Sequence, residues 1–145
     1  MQHKRFIVVV RELVECARAF EHFSAAHVRQ LDLTPAQFDI VATLGNTQGM
    51  TCKELGEKTL MTKGTLTGVL DRLESKKILE RLPSAEDGRS FIIRLTRKGN
   101  ALFDRIFPEH MAYLKPAFEQ FTDDELADMR GKLRQLRLAF EGADG

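Results

Sequence analysis

Apolar residues recur at helical spacing in the middle of the chain. The stripe consists of Leu66, Val69, Leu70 and Leu73. Their positions at i, i+3, i+4 and i+7 predict a helix with one side facing a core. Thr62 precedes the run, and its side chain is suited to cap the first helical turn.

The opposite side of this helix carries small and hydroxyl-bearing residues. At about 100° per residue, the positions farthest from the stripe are Gly64, Gly68, Asp71 and Ser75, flanked by Thr65, Thr67 and Arg72. A glycine inside a helix costs about 1 kcal/mol relative to alanine. Two interpretations remain open: the glycines let another surface approach the helix backbone closely, or they are a tolerated weakness.

A shorter helix is predicted just before this one. Thr51 and Glu54 have the spacing of a capping box, in which Thr51 accepts the third backbone N–H and Glu54 accepts the Thr51 N–H. A turn at Thr59-Leu60-Met61 joins the two helices.

A hairpin is predicted after the second helix. Turn-forming residues at 83–90 separate the β-prone runs 79–82 and 91–95, which indicates a two-stranded ribbon with Asp87 and Arg89 at its tip. Helix, turn, helix and hairpin in this order predict a winged helix-turn-helix, which places its second helix in the major groove of DNA.

The amino-terminal segment is predicted to be one helix. Ile7-Val8-Val9-Val10 favours a strand by propensity, but helical spacing continues from Leu13 to Leu31. A helix that is apolar all round at its start is expected where a partner subunit covers it. The capping box Thr34-Pro35-Ala36-Gln37 then predicts the start of the next helix.

The carboxyl-terminal segment has the spacing of a helix-pairing seam. Thr122 can cap its start, and apolar residues follow at intervals of 3, 4, 3 and 4, at Leu126, Met129, Leu133, Leu136 and Phe140. This spacing favours a dimer, although a stripe facing the chain's own core would look the same. Between hairpin and seam, a helix from Thr96 to about Gln120 is expected to be kinked or interrupted at Pro108 and Pro116.

Composition and charge agree with a small nucleic-acid-binding protein. The 145 residues are 43% hydrophobic and 30% charged, which fits one globular domain. The net charge is only +1, but residues 50–100 hold eleven Lys+Arg and seven Asp+Glu, an excess of four positive charges that favours local phosphate contacts. With two cysteines, no long apolar stretch and no evident signal peptide, a cytoplasmic protein without a membrane partner is expected.

Several motifs together resemble the MarR family of bacterial transcription regulators. They are Leu33-Thr34-Pro35-Ala36-Gln37-Phe38, Met61-Thr62-Lys63-Gly64-Thr65-Leu66-Thr67, Asp71-Arg72-Leu73-Glu74, Asp87-Gly88-Arg89 and Leu95-Thr96-Arg97-Lys98-Gly99. The resemblance implies a homodimer, most often a repressor, that binds a pseudo-palindromic operator in double-stranded DNA. It also implies that Arg89 probes the minor groove and that Asp87 holds the wing by an ion pair. Gly68 departs from many relatives, in which a longer polar or basic side chain is frequent.

The fold expected from these features is mainly α with a small β wing, a winged helix-turn-helix with terminal dimerisation helices. It is expected to be one domain over residues 1–145, with the winged helix at about 34–100 and dimerisation helices at about 5–31 and 100–141. The predicted DNA-binding residues are Thr51, Thr62, Lys63, Gly64, Thr65, Thr67, Gly68, Arg72, Asp87, Arg89 and Ser90. The predicted dimerisation residues are Ile7, Val10, Leu126, Met129, Leu133, Leu136 and Phe140.

An effector pocket follows from the resemblance alone. Relatives often release DNA when a small, frequently phenolic ligand enters a cleft between the DNA-binding and dimerisation parts. Helical periodicity suggests Phe20, Phe23, His27 and Phe38 as lining residues. The alternative for the phenylalanines is an ordinary apolar core.

Two alternative functions remain open. One is a regulator of the same fold that senses oxidants through Cys16 or Cys52, or a metal through its histidines. The other is a winged-helix module that binds protein and has lost DNA recognition. No phosphate-binding glycine loop, metal motif or nucleophile elbow is present in the sequence, so no enzyme, cofactor or metal is expected.

Overall fold

The chain folds into helices with one small antiparallel sheet. The computed structural model describes residues 3–59, 61–84 and 90–143, which divide between two compact units, residues 1–110 and 111–145. The helices are α1 (His3–Gln30), α2 (Pro35–Leu44), α3 (Cys52–Thr59), α4 (Lys63–Ser75), α5 (Arg97–Phe118) and α6 (Asp123–Ala143), and the strands are β1 (Met50–Thr51), β2 (Leu79–Pro83) and β3 (Phe91–Leu95). The expected fold class, mainly α with a small β wing, is confirmed.

The sheet has three strands rather than the predicted two. β3 lies in the centre, with β2 on one side and β1 on the other, all antiparallel. In β1, Met50 lies opposite Ile93 and Thr51 opposite Ile92. The predicted two-stranded ribbon is present as β2 and β3. The additional strand β1 was not predicted, because two residues are too few to show the alternation by which strands are recognised.

The core of the first unit forms where the predicted apolar stripes meet. Leu66, Leu70 and Leu73 of α4 are buried, and Val69 packs beside them half-buried. Ile40, Val41 and Leu44 of α2, Leu55 of α3, Leu79 of β2, Ile93 of β3 and Ile106 of α5 complete the centre of the core. Burying each such side chain contributes about 1.5–3 kcal/mol, so α4 is held in place by its inner side.

The helix starts follow the capping patterns with one difference. Thr34 and Gln37 make both bonds of a capping box, as do Thr122 and Glu125. At α3, the Glu54 N–H donates to Thr51 Oγ1 at 3.1 Å, but the Glu54 carboxylate accepts the Thr51 hydroxyl at 3.2 Å, not the backbone N–H that was predicted. Thr51 differs in that it also belongs to β1, so its backbone is extended against β3.

The strand propensity of residues 7–10 gives way to helix. α1 runs unbroken from His3 to Gln30, as the longer-range spacing predicted. Phe6, Ile7, Val8, Val9 and Val10 are all exposed in the single chain.

A kink or an interruption was expected at Pro108 and Pro116; the helix is not interrupted at either position, since α5 runs from Arg97 to Phe118. A proline inside a helix costs about 3 kcal/mol or more, but Phe103 and Ile106 before it and His110 after it are all buried. Packing on both sides of Pro108 therefore holds the helix together. Pro116 lies two residues before the end of α5.

No helix in residues 3–59, 61–84 or 90–143 is long and apolar enough to cross a membrane.

Candidate functional site

The side of α4 that faces away from the core is exposed to solvent. Thr62, Lys63, Gly64, Thr65, Thr67, Gly68 and Arg72, all predicted site residues, are exposed. A Cβ added at Gly64 or Gly68 would meet nothing within 4 Å. By contrast, a Cβ at Gly99 would lie 1.9 Å from the Ile78 carbonyl oxygen. Gly99 is thus required by internal packing, whereas no contact within the described chain requires a glycine at positions 64 or 68.

Several hydroxyl groups on α4 are held by the helix itself. Thr67 donates to the Lys63 carbonyl at 2.9 Å and Ser75 donates to the Asp71 carbonyl at 2.9 Å. Thr62 donates to Thr65 Oγ1 at 3.0 Å, and Thr62 Oγ1 accepts the Thr65 N–H at 3.4 Å. These bonds fix the side-chain rotamers while leaving oxygen lone pairs and methyl groups free to contact another molecule.

Arg81 joins β2 to α4. Its guanidinium contacts Asp71 Oδ1 and Glu74 Oε1, each at 3.0 Å. One guanidinium therefore pairs with two carboxylates on α4, which lowers their combined charge from −2 to −1, and it joins the first strand of the hairpin to this helix. Arg81 was not among the predicted site residues, although carboxylates at i and i+3 followed by a basic residue in the next strand were a usable sequence signal.

The hairpin is confirmed by the residues on either side of its tip. Pro83 lies opposite Phe91 at the last paired position, and the Ser84 N–H donates to the Ser90 carbonyl at 2.9 Å. Ser90 is half-buried. Asp87 and Arg89 lie outside the described residues, so the roles implied for them stay predictions.

Thr51 lies at the junction of β1 and α3 and is half-buried. Its hydroxyl both accepts the Glu54 N–H and donates to the Glu54 carboxylate. In the free chain Thr51 thus caps a helix, and a contact with DNA remains a prediction.

The end of α4 is tied to the start of α5. Lys98 Nζ donates to the Lys76 carbonyl at 2.9 Å, and the Thr96 N–H donates to the Ile78 carbonyl at 3.0 Å. Lys76 caps the carboxyl end of α4, where the helix dipole favours a cation. This contact gives a lysine in the first turn of α5, where the helix dipole disfavours a cation, a structural role.

Two of the four predicted pocket residues come together around His110, which the sequence suggested only as one of the histidines that could bind a metal. His27 Nδ1 lies 2.9 Å from His110 Nδ1, and His110 Nε2 lies 2.9 Å from Ser24 Oγ. The Phe38 ring packs on His110 with centroids 4.6 Å apart. Burial lowers the pKa of His110, and the neighbouring His27 lowers it further.

Phe20 and Phe23 are not part of a core in the single chain. Both side chains are exposed, Phe20 by 49% and Phe23 by 39%. The apolar-core alternative is therefore wrong for these two phenylalanines, and their role in a pocket is untested.

The two thiols are separate. Cys16 on α1 and Cys52 on α3 are exposed free cysteines. Within the described part of the chain, no three His, Cys, Asp or Glu side chains are grouped so that they could hold a metal ion.

Comparison with known proteins agrees with the geometry. A family model described as MarR family matches residues 33–91. The HTH-type transcriptional regulator MhqR of Bacillus subtilis is 28% identical over 135 residues, covering 93% of this chain and 90% of that protein. The uncharacterized HTH-type transcriptional regulator YsmB of the same species is 30% identical over 110 residues, covering 76% of this chain and 75% of that protein.

Solved structures show the same fold. AbsC, a MarR family transcriptional regulator from Streptomyces coelicolor, has a TM-score of 0.82 at 21% identity over 93% of both chains. A mutant MarR from E. coli in complex with operator DNA has a TM-score of 0.76 at 26% identity, covering 91% of this chain and 97% of that one. NadR in complex with 4-hydroxyphenylacetate has a TM-score of 0.76 at 22% identity, covering 88% of this chain and 91% of that one.

Proposed function

Since the chain belongs to the MarR family of DNA-binding transcription regulators, which are not enzymes, we propose that it is a cytoplasmic, homodimeric repressor of a pseudo-palindromic operator. The outward side of α4 carries this proposal. It is exposed, it lacks side chains at Gly64 and Gly68, and nothing else in the described chain occupies it. A surface of this shape can enter the major groove with its backbone close to the base edges.

The side chains around the two glycines divide into two roles. Thr65 and Thr67 offer oxygen acceptors and methyl groups to base edges. Lys63 and Arg72 carry positive charges for phosphates, and contacts of that kind fix the position of a protein on the duplex. Arg89 and Ser90 of the wing extend the contact beside the groove, with Asp87 orienting Arg89 as the family resemblance implies.

A second copy of the chain is proposed to cover the terminal helices. Phe6, Ile7 and Val10 of α1 are exposed by 59%, 49% and 45%, and Leu133 and Phe140 of α6 by 56% each. Concentrated apolar exposure of this kind marks an interaction surface. In a symmetric dimer the two α4 helices would meet half-sites about 34–36 Å apart, one helical turn of DNA.

Response to a small aromatic ligand is the less developed part of the proposal. NadR was solved with 4-hydroxyphenylacetate, and the rings of His27 and Phe38 lie against His110, which is hydrogen-bonded to His27 and Ser24. Such a mixture of aromatic walls and a few polar groups is typical of small-molecule sites.

The experiment begins by selecting bound fragments from the source genome. Fluorescence anisotropy on the selected site then measures operator affinity with and without competitor DNA, and footprinting maps the protected half-sites. The proposal predicts competitor-resistant binding and two symmetric protected regions one helical turn apart. Binding that competitor DNA removes completely would instead favour a protein-interaction module.

A wing variant tests the second contact. Arg89→Ala is expected to weaken operator binding about tenfold and to lower the salt slope by about one. Arg29→Ala, at an exposed arginine on α1, is the charge-matched control. Light scattering should show that both variants keep the oligomeric state of the wild type, and an unchanged Arg89→Ala affinity would remove the wing from the interface.

The oxidant-sensing and metal-sensing alternatives are tested by measuring operator affinity after treatment with mild peroxide, and after removal of metal by a chelator followed by addition of zinc. Neither treatment should change operator affinity if the thiols and histidines have no sensing role.

A further inference from the structure

Two apolar side chains are exposed at the outer end of the paired hairpin. Phe91, the first residue of β3, is 53% exposed, and Pro83, the last residue of β2, is exposed directly opposite it. Side chains that lie directly opposite each other in antiparallel strands point to the same face of the sheet. Phe91 and Pro83 therefore form one small apolar surface, which we call the hairpin pair.

The hairpin pair lies on the face of the sheet that is turned toward α4. Side chains alternate between the two faces along a strand, so Phe91 and Pro83 share a face with Ile93 and Arg81, which lie opposite each other. Ile93 is buried in the core, and the Arg81 guanidinium contacts Asp71 of α4 at 3.0 Å. Two residues of strand span about 7 Å. The hairpin pair thus lies just beyond the core, beside the outward side of α4.

The fold does not use the Phe91 ring. Phe91 belongs neither to the buried core nor to the half-buried side chains packed against it. Single exposed apolar residues are common on protein surfaces, so the exposure alone does not indicate a site. The position of Phe91 does, because it lies between the two parts of the molecule that are proposed to contact DNA, the outward side of α4 and the wing.

The chemistry of the hairpin pair suits a carbon-rich surface. Neither side chain carries a polar atom. The ion pair between Glu80 and Arg94 lies on the opposite face of the hairpin, and Asp71 is already paired with Arg81. The hairpin pair can therefore contact carbon atoms, but it cannot neutralise a phosphate.

A DNA strand offers such a surface at this place. With α4 in the major groove and the wing beside the adjacent minor groove, the sugar–phosphate backbone that separates the two grooves crosses the gap between helix and wing. The phosphates of that backbone are charged, whereas its deoxyribose rings expose carbon–hydrogen edges. An uncharged aromatic ring matches the sugars.

We propose that Phe91, supported by Pro83, packs against the deoxyribose rings of this DNA strand. The inference rests on the proposed function and adds an apolar contact to it. This contact releases no counterion and reads no base, because sugar contacts position a protein on the duplex without carrying sequence information. It should strengthen binding to the operator and to unrelated DNA by the same factor.

Phe91→Thr tests the contact, because threonine removes the ring and still favours a β-strand. Operator affinity should fall about fivefold or more, and affinity for an unrelated duplex of equal length should fall by the same factor. The dependence of affinity on salt should stay that of the wild type, whereas Arg89→Ala lowers the salt slope by about one. Phe91→Leu keeps much of the apolar area and should lose less affinity. Thermal melts followed by circular dichroism establish that both variants are folded.

A tryptophan at the same position reports the contact directly. The chain contains no tryptophan, so Phe91→Trp carries a single indole whose quenching by acrylamide measures its exposure. Operator DNA should protect this indole from acrylamide. Leu138→Trp, at an exposed leucine off the seam of α6, is the matched control and should be quenched equally with and without DNA.

Wild-type binding to the selected operator tests the proposed function separately, and a wild type that binds no DNA would overturn both proposals. If the wild type binds and Phe91→Thr has the same affinity, only the sugar contact is rejected. The same holds if operator DNA leaves the indole of Phe91→Trp as accessible as in the free protein, which would favour a protein partner for the hairpin pair. A loss confined to the operator, or a changed salt slope, would assign Phe91 to base or phosphate contacts and reject the sugar contact as well.

Discussion

At the residue scale, the His27–His110 contact determines how the first unit should respond to acid. Two Nδ1 atoms 2.9 Å apart can share one proton, with one ring donating and the other accepting. They cannot both carry a proton there, so one of the two rings must stay neutral for the contact to persist.

Stability is therefore expected to fall in mild acid. Burial lowers the pKa of folded His110 below its ordinary value of 6.5, so the unfolded chain binds more protons in the window between the two pKa values. The stabilisation is complete above pH 6.5 and is lost as the pH falls through that window. Urea unfolding from pH 8 to pH 5 measures it, and His110→Gln, which cannot titrate, should show a smaller loss. Equal pH dependence in both proteins would contradict this assignment.

The sequence could not have shown this pair. His27 was predicted as a pocket residue from helical periodicity, but its partner lies 83 positions away, and no spacing rule relates residues in α1 and α5. The exposed side of α4 was predictable because a helix has a fixed period and its inner stripe was unambiguous.

At the scale of elements, the coupling of α4 to the hairpin depends on Arg81. Asp71 and Glu74 place two negative charges on the helix proposed to enter DNA, and Arg81 pairs with both from β2 and offsets one of these charges. Ion pairs this exposed contribute only about 0–1 kcal/mol to stability. We expect these ion pairs to affect DNA affinity instead, because affinity depends on the charge of α4 and on the position of the wing.

Arg81→Met should lower operator affinity about three- to tenfold with little change in melting temperature. Arg94→Met is the matched control, because it removes the Arg94–Glu80 pair in the same hairpin without touching α4. Adding Asp71→Asn to Arg81→Met should restore part of the affinity, since a phosphate-repelling charge is removed. Equal losses in Arg81→Met and Arg94→Met would mean that only net charge matters.

The elements with long patterns were predictable and the short or context-dependent ones were not. The capping boxes at Thr34 and Thr122 fixed the starts of α2 and α6. The strand β1 was not predicted because two residues form no recognisable pattern. The helix α5 continues across Pro108 because burial of the side chains on both sides of the proline outweighs its local free-energy cost.

At the scale of the whole molecule, the account requires two copies of the chain. The seam on α6 predicted a dimer, and in α6 no described residue is buried within the single chain. Leu133 and Phe140 of the seam are exposed, and Leu126, Met129 and Leu136 are half-buried. A stripe facing the chain's own core would be buried, so this incomplete burial favours a partner subunit.

Leu133→Glu should convert the dimer to a monomer at micromolar concentration, because an unpaired charge buried in the interface opposes association. Operator binding by this variant should weaken by about tenfold or more. The side chain is 56% exposed in the single chain, so the fold itself should tolerate the change. Leu138→Glu, at an exposed leucine of α6 off the seam, should remain dimeric. Light scattering measures the oligomeric state of the wild type and of both variants, and a monomeric wild type would contradict the dimer proposal.

If the open side of α4 contacts DNA as proposed, Gly68→Met should interfere with that contact without harming the fold. Methionine favours helix over glycine by about 0.5–1 kcal/mol, and position 68 has open space around it. The melting temperature should therefore stay the same or rise, while operator affinity falls at least tenfold, roughly, because the new side chain separates α4 from the bases.

Gly131→Met makes the same change at an open helical glycine of α6 and should leave operator affinity unchanged. Paired anisotropy titrations of Gly68→Met and Gly131→Met on the same operator give the comparison. The account predicts a large loss for the first variant only; equal affinity in the two variants would contradict it.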